Sequence, residues 1–119
     1  MANVNLKSLT GVLGENGNIS DIPTTPSGIV TCGSNQVLKI NSLYVANIDG
    51  TNSANITADL HNGANVLSYL VRNTTIGAGG SINIITAGSP VYITEGQTIR
   101  LTSSVAGDLS GFVSYERIS

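Results

Sequence analysis

The sequence is poor in the residues from which catalytic and metal centres are most often built. Its 119 residues include one cysteine, one histidine and no tryptophan. With His61 as the only histidine, a histidine-based metal cluster cannot form within one chain, and a Ser-His-Asp triad would depend on that residue alone. We therefore expect no catalytic residues, no metal site and no cofactor, and we interpret His61 as a solvated side chain beside the Asn62-Gly63 turn.

The single cysteine also excludes an internal disulfide. Cys32 follows a run of β-branched residues, so we interpret it as a small buried side chain rather than a reactive thiol. The residues after Met1 contain neither a cationic segment nor a long apolar one of the kind that directs secretion. These features predict synthesis in a cytoplasm and no contact with a membrane.

Charge is scarce, and this scarcity argues against a nucleic-acid partner. Charged residues make up 10% of the chain, and the formal net charge is −2. A protein that neutralises phosphates needs clustered cations. The five basic residues are instead scattered along the chain, at Lys7, Lys39, Arg72, Arg100 and Arg117.

Short runs of alternating apolar and polar residues, separated by turn residues, dominate what remains. This pattern predicts an all-β fold, an antiparallel β-sandwich of about eight short strands with Ig-like or jelly-roll architecture. We expect a single domain, 1–119, in which residues 1–27 form an N-terminal arm and loop, with a turn at 14–18. The predicted strands are residues 28–32, 38–48, 54–60, 66–76, 81–86, 91–93, 98–103 and 109–118.

Two of these runs, 38–48 and 54–60, frame a turn-forming segment and predict a β-hairpin. In the second run, Thr57, Asp59 and His61 alternate with apolar residues, so we expect them on a solvated face. In the first run the apolar phase changes near Asn41-Ser42. That change predicts either a bulge or a move to another sheet.

Two glycine-containing segments are better explained as turns than as ligand sites. The segment 77–81 lacks the Gly-Lys-Ser/Thr ending of a phosphate-binding loop. The segment 49–52 is similar to the opening of a calcium loop, but no acidic residue follows at the spacing of a bidentate ligand.

One resemblance extends beyond composition. It is carried by the residues LYVAN, DG and NITADL between 43 and 60, by SPVYITEGQTIR at 89–100, and by VSYE at 113–116. Over these segments the chain resembles small virion structural proteins of tailed bacteriophages. The resemblance implies a non-enzymatic β-sandwich located in the virion, commonly a homotrimer. Such proteins include capsid decoration or cement proteins and small tail or fibre modules. From the compact size, the lack of a catalytic constellation and the N-terminal arm, we expect a capsid cement or decoration protein that binds the major capsid protein and stabilises the assembled head.

Two further expectations concern how such a protein would bind. The N-terminal arm carries apolar residues without a regular period, and we expect Val4, Leu6 and Leu9 to bind a partner, with the arm adding a strand to a neighbouring sheet. The alternative function is a tail, fibre, or receptor- or carbohydrate-binding module of the phage particle. A carbohydrate module would expose Tyr44, Tyr69 and Tyr92 together as an aromatic platform.

Overall fold

Strands make up most of the residues that the structure, a computed structural model, describes, which are residues 11–119. In chain order they are β1 (Val12–Ile19), β2 (Ser27–Thr31), β3 (Val37–Asn47), β4 (Ala54–His61), β5 (Val66–Ile76), β6 (Ser81–Ile85), β7 (Val91–Thr94), β8 (Thr98–Ser103) and β9 (Leu109–Ile118). Within residues 11–119, no helix is long and apolar enough to cross a membrane.

The nine strands form two antiparallel sheets that pack face to face. Sheet A has the order β1-β9-β3, and β6 and β7 lie one after the other along the remaining edge of β3. Sheet B has the order β2-β8-β4-β5. The predicted all-β sandwich is therefore confirmed, with one strand more than the eight expected.

Strand β3 is the centre of sheet A and contains the predicted bulge. Ile40 pairs with Tyr115 of β9 and Ser42 pairs with Ser114, so Asn41 has no counterpart on β9. The extra residue shifts the alternation by one position. Leu38 and Ile40 before it, and Leu43 and Val45 after it, consequently all face the core. The bulge prediction is confirmed, and the strand does not change sheet.

The predicted hairpin between β3 and β4 is wrong. The segment between them crosses from sheet A to sheet B, and β4 pairs with β5 and β8 instead. Buried Asn47 holds this crossing in place, because its Nδ2 donates to the carbonyls of Asn52 (2.9 Å) and Ile76 (3.0 Å). Both strands carry apolar faces, and stacking those faces across the core buries more apolar surface than placing the strands side by side.

The predicted turn at residues 14–18 is also wrong, because these residues lie within β1. The strand pairs along its whole length with β9, from Val12 opposite Ile118 to Ile19 opposite Gly111. Gly17 is needed at one point of close approach, since a Cβ there would lie 2.9 Å from the Ile29 carbonyl oxygen of sheet B. Glycine and asparagine are thus part of an edge strand here and do not form a turn.

The loop before β2 closes one end of the sandwich. Ile22 is fully buried, and its backbone N–H donates to the Leu109 carbonyl of sheet A at 2.8 Å. The next carbonyl, of Pro23, accepts from Ser103 N–H of sheet B at 2.9 Å. The extended, non-helical conformation predicted for this proline-containing loop is confirmed, although β2 begins one residue earlier than expected.

The core between the sheets is built from aliphatic side chains of both layers. Its largest fully buried members are Ile22, Leu38, Ile40, Leu43, Ile56, Ile93, Ile99, Leu101 and Leu109. Burying a side chain of this size contributes about 1.5–3 kcal/mol. These residues therefore supply most of the driving force that holds the sheets together.

Gly111 of β9 is the position where this core leaves no room for a side chain. A Cβ at Gly111 would lie 2.7 Å from Leu101 Cδ1 and 3.4 Å from the side chains of Ile22 and Ile29. We expect Gly111→Val to lower the free energy of unfolding by about 1–3 kcal/mol, the usual cost of overpacking. The matched control is Gly14→Val in the edge strand, where a Cβ meets nothing within 4 Å. Urea unfolding of both variants should separate them; equal losses would contradict the tight fit at Gly111.

Candidate interaction surface

The residues predicted to bind a partner, Val4, Leu6 and Leu9, lie outside the part of the chain that the structure describes. Their role stays a prediction. The strand that follows the arm, β1, is an edge of sheet A.

Strand β5 forms the outer edge of sheet B, and its first half is unusually apolar. Within the described chain it pairs with β4 alone. We call residues 66–71, of sequence VLSYLV, the β5 edge segment. It contains no charge, glycine or proline, and Val66, Leu67 and Tyr69 are exposed by 37%, 47% and 46%. An exposed, uncharged edge of this kind presents unpaired backbone groups to another strand.

A bulge ends the β5 edge segment. Val71 pairs with Ala58 and Thr74 with Ile56, so Arg72 and Asn73 together stand opposite Thr57. Asn73 adopts a left-handed conformation, with φ +53°, and its N–H donates to Thr57 Oγ1 at 2.9 Å. The bulge and two further register shifts in this ladder increase the local twist. Any strand that pairs with this edge must follow that twist.

The outer face of sheet B carries an ion pair that is nearly removed from solvent. Arg100 Nε and Nη2 donate to the two carboxylate oxygens of Asp59 at 2.9 and 3.1 Å, and their side chains are 22% and 5% exposed. Asp59 was expected on a solvated face. It does lie on the outer face, between Arg100 of β8 and Tyr69 of β5, but these two neighbours cover it.

The ion pair continues outward as a row of side chains that reaches the β5 edge segment. Asp59 stabilises the cationic form of Arg100 by hydrogen bonding, which raises the pKa of the guanidinium. Next in the row is Tyr69, and the Arg72 guanidinium lies over its ring at 4.9 Å from the centroid. A cation over an aromatic face contributes about 0.5–1 kcal/mol at an exposed site. The contact therefore favours one orientation of the exposed tyrosine.

The three tyrosines considered as a carbohydrate platform are exposed on different faces. Tyr44 and Tyr92 belong to strands of sheet A, and Tyr44 packs against Phe112 with ring centroids 5.4 Å apart. Tyr69 belongs to sheet B. Each of the three is exposed, but they do not form one platform.

Aspartates from three loops lie near one another at the end of the sandwich opposite the β4–β5 turn. Asp49 Oδ1 accepts from the N–H groups of Thr51 (2.7 Å) and Asn52 (3.2 Å), which lowers the pKa of its carboxyl. Burial, followed by the nearby charges of Asp49 and Asp21, raises the pKa of Asp108. Among residues 11–119, no three His, Cys, Asp or Glu side chains are grouped so that they could hold a metal ion.

Cys32, the segment 77–81 and His61 each lie at or just beyond the end of a strand. Cys32 is buried, as predicted, and burial raises the pKa of its thiol. The segment 77–81 contains the predicted turn, closed by the Gly80 N–H and the Gly77 carbonyl at 2.9 Å. His61 ends β4 beside the Asn62-Gly63 turn and is partly buried; its Nδ1 accepts from Gly63 N–H at 3.0 Å.

Comparison with known proteins gives no relative. No family model matches the chain, and no match is found among curated proteins or solved structures.

The Asp59–Arg100 pair should stabilise the fold measurably. Because Asp59→Ala leaves the Arg100 guanidinium, 22% exposed, without its carboxylate partner, we expect it to cost about 1.5 kcal/mol. In a double-mutant cycle with Arg100→Ala, the coupling energy should exceed about 1 kcal/mol. The Glu15–Arg117 pair is the control, because it spans 3.5 Å and both side chains are about one-third exposed; its coupling should stay below about 1 kcal/mol. Similar coupling in the two cycles would contradict the difference in burial.

The opposite pKa shifts of Asp108 and Asp49 predict opposite effects of removing their charges. The folded state holds the Asp108 proton more tightly than the unfolded chain does, so this contribution favours folding at low pH and is lost as pH rises through the raised pKa. Asp108→Asn should therefore raise the Tm at pH 7, and the gain should shrink towards about pH 3. Asp49→Asn should lower the Tm at pH 7, because a depressed pKa stabilises the fold above the ordinary value. Thermal scans across this range check both signs.

Proposed function

We propose that this chain is a non-enzymatic structural protein of a bacteriophage virion, a capsid cement or decoration protein that binds assembled heads as a homotrimer. The observation that carries the proposal is the β5 edge segment, a twisted, uncharged strand edge with exposed apolar side chains. Such an edge supports assembly through backbone hydrogen bonds and shape rather than through charge. The resemblance to virion proteins supports a location in a phage particle.

The segments that carry the resemblance occupy the core of the sandwich rather than its candidate binding edge. They fall on β3, the segment that follows it, β4, β7, β8 and β9. These elements supply the central strand of sheet A and the two strands of sheet B that pack beneath it. They therefore support a common scaffold, whereas the β5 edge segment supplies a surface for a partner.

The low charge of the chain supports assembly in a second way. Only 10% of its residues are charged, and the β5 edge segment contains none. Copies brought together at this edge would meet little electrostatic repulsion and would order few long, flexible side chains. The surface is therefore suited to burial against other subunits.

The proposed occupant of the β5 edge segment is the N-terminal arm of a neighbouring copy. The start of β1 and the start of β5 lie at the same end of the sandwich. In sheet A, β1 begins opposite the end of β9, which pairs with the start of β3, and the start of β3 pairs with the end of β7. A tight turn leads from β7 to the start of β8 in sheet B, which pairs with the end of β4, and β5 begins opposite that end. In the arm, Val4 and Leu6 are separated by one polar residue, as strand pairing onto a half-buried edge requires. Deletion of residues 2–10, which leaves β1 intact, should weaken trimer formation without unfolding the domain.

A charge within the β5 edge segment should disrupt self-association. We expect Leu67→Lys to raise the dissociation constant of the oligomer at least about tenfold, because the new ammonium would be desolvated on pairing. Ile48→Lys is the matched control, since Ile48 is exposed in a loop at the other end of the sandwich. Multi-angle light scattering over a dilution series, with thermal scans to check folding, makes the comparison. A wild-type monomer at high micromolar concentration would refute the trimer.

Copy number in purified virions tests the location. A cement protein should occur in numbers comparable with the major capsid protein, and a tail or fibre component at roughly a tenth of that or less, because it is confined to one vertex. Quantitative mass spectrometry of virions measures the ratio. A low count would reject the cement role and favour the tail or fibre alternative, and absence from the virion would reject both.

A further inference from the structure

The chain contains two Asn-Gly dipeptides in very different settings. Asn16-Gly17 lies inside β1, where Asn16 pairs with Ser114 and Gly17 with Val113 of β9. Asn62-Gly63 forms the turn between β4 and β5. The same local sequence is thus held in a ladder at one place and in an exposed turn at the other.

An asparagine followed by a glycine can undergo an intramolecular reaction. The backbone nitrogen of the glycine attacks the side-chain carbonyl carbon of the asparagine, and a five-membered succinimide forms with loss of ammonia. Three groups assist such a step: a base that takes the proton from the backbone nitrogen, donors that stabilise charge on the carbonyl oxygen, and a following residue without a Cβ.

The β4–β5 turn supplies all three. The Gly63 N–H donates a hydrogen bond to His61 Nδ1, at a distance of 3.0 Å between the two nitrogens. The backbone N–H groups of Ala64 and Asn65 donate to Asn62 Oδ1 at 2.9 and 2.8 Å, where negative charge develops during attack. Gly63 has φ +93°, a conformation that disfavours any residue with a side chain.

The hydrogen bond to His61 leaves the Gly63 nitrogen free to attack. The Gly63 N–H bond points towards His61 in the plane of its peptide group. Once the proton has left, the electron pair that attacks is delocalised perpendicular to that plane. A base in the peptide plane therefore does not block attack by the nitrogen on a carbon above or below that plane.

We propose that Asn62 is a self-modification site, at which the protein converts its own asparagine through His61. The Gly63 nitrogen forms a bond to Asn62 Cγ while its proton passes to His61 Nδ1. The bond from Cγ to the side-chain nitrogen then breaks, and the proton on His61 passes to that nitrogen, which leaves as ammonia. Water opens the succinimide to aspartate or isoaspartate, and no other reactant is needed.

Each product changes the turn that leads into the β5 edge segment. Both add one negative charge to a chain whose formal net charge is −2. Aspartate keeps the oxygen that accepts from Ala64 and Asn65. Isoaspartate lengthens the backbone by one carbon and shifts Val66 relative to His61, its partner across the ladder. The site depends only on the turn, so it does not rest on the proposed virion role.

The two Asn-Gly pairs allow an internal comparison in one molecule. Folded protein incubated at neutral pH is digested and mapped by mass spectrometry, and the loss of each asparagine is followed with time. In the folded protein, Asn62 should convert at least about tenfold faster than Asn16, since general base catalysis alone contributes more than this. In urea, where both settings are lost, the two rates should differ little. A folded Asn62 no faster than Asn16 would overturn the proposal.

Substitution of the base separates catalysis from simple exposure of the turn. His61→Leu should slow conversion of Asn62 at least about tenfold and leave Asn16 unchanged. Circular dichroism and the Tm establish that the variant is folded. If the folded variant converts Asn62 at the wild-type rate, His61 is not the base and the proposal fails. If the variant does not fold, the wild-type protein decides, because a catalysed Asn62 converts faster in the folded protein than in urea; an Asn62 that converts no faster when folded overturns the proposal.

Discussion

The sandwich depends on one extra residue in its central strand. Strand β3 carries two sets of apolar residues in opposite phase, and only the bulge at Asn41 lets Leu38 and Leu43 point into the same core. A regular strand would turn one set towards solvent, because successive side chains alternate between faces. The bulge also divides the far edge of β3, where β7 pairs before it and β6 after it. Two short strands therefore replace one long one.

Local pattern was sufficient to predict strands but not their partners. The strands at 66–76, 98–103 and 109–118 match their predicted limits, because each is an alternating run bounded by turn residues. The β3–β4 connection could not be predicted in this way, since a six-residue segment rich in Asp, Gly and Asn can reverse a chain or carry it across a core. The choice between the two depends on which faces must be buried together.

The order of strands in the sheets also decides which polar residues are buried and which strand has an unpaired edge. Asp59 alternates with apolar residues just as Thr57 does, and nothing near it in sequence indicates that Arg100 of β8 will cover it. The sequence of β5 predicts a strand but not an edge. The absence of charge between Val66 and Val71 is by itself typical of an inner strand, because edge strands of monomers usually carry charges that block pairing. Similarly, the reactive setting of Asn62 depends on hydrogen bonds made within the turn, beyond the dipeptide itself.

The placement of β9 between β1 and β3 has a consequence for synthesis on the ribosome. Sheet A cannot be completed until the last of its strands has been translated, although β1 and β3 emerge early. Once β5 has been translated, sheet B lacks only β8, and its β4–β5 hairpin can form as soon as both strands are free. Nascent chains thus carry β1 and β3 without the strand that pairs with both, and the apolar face of β3 is left exposed, a state that favours aggregation. Pairings between strands so distant in sequence also make the final folding step slow.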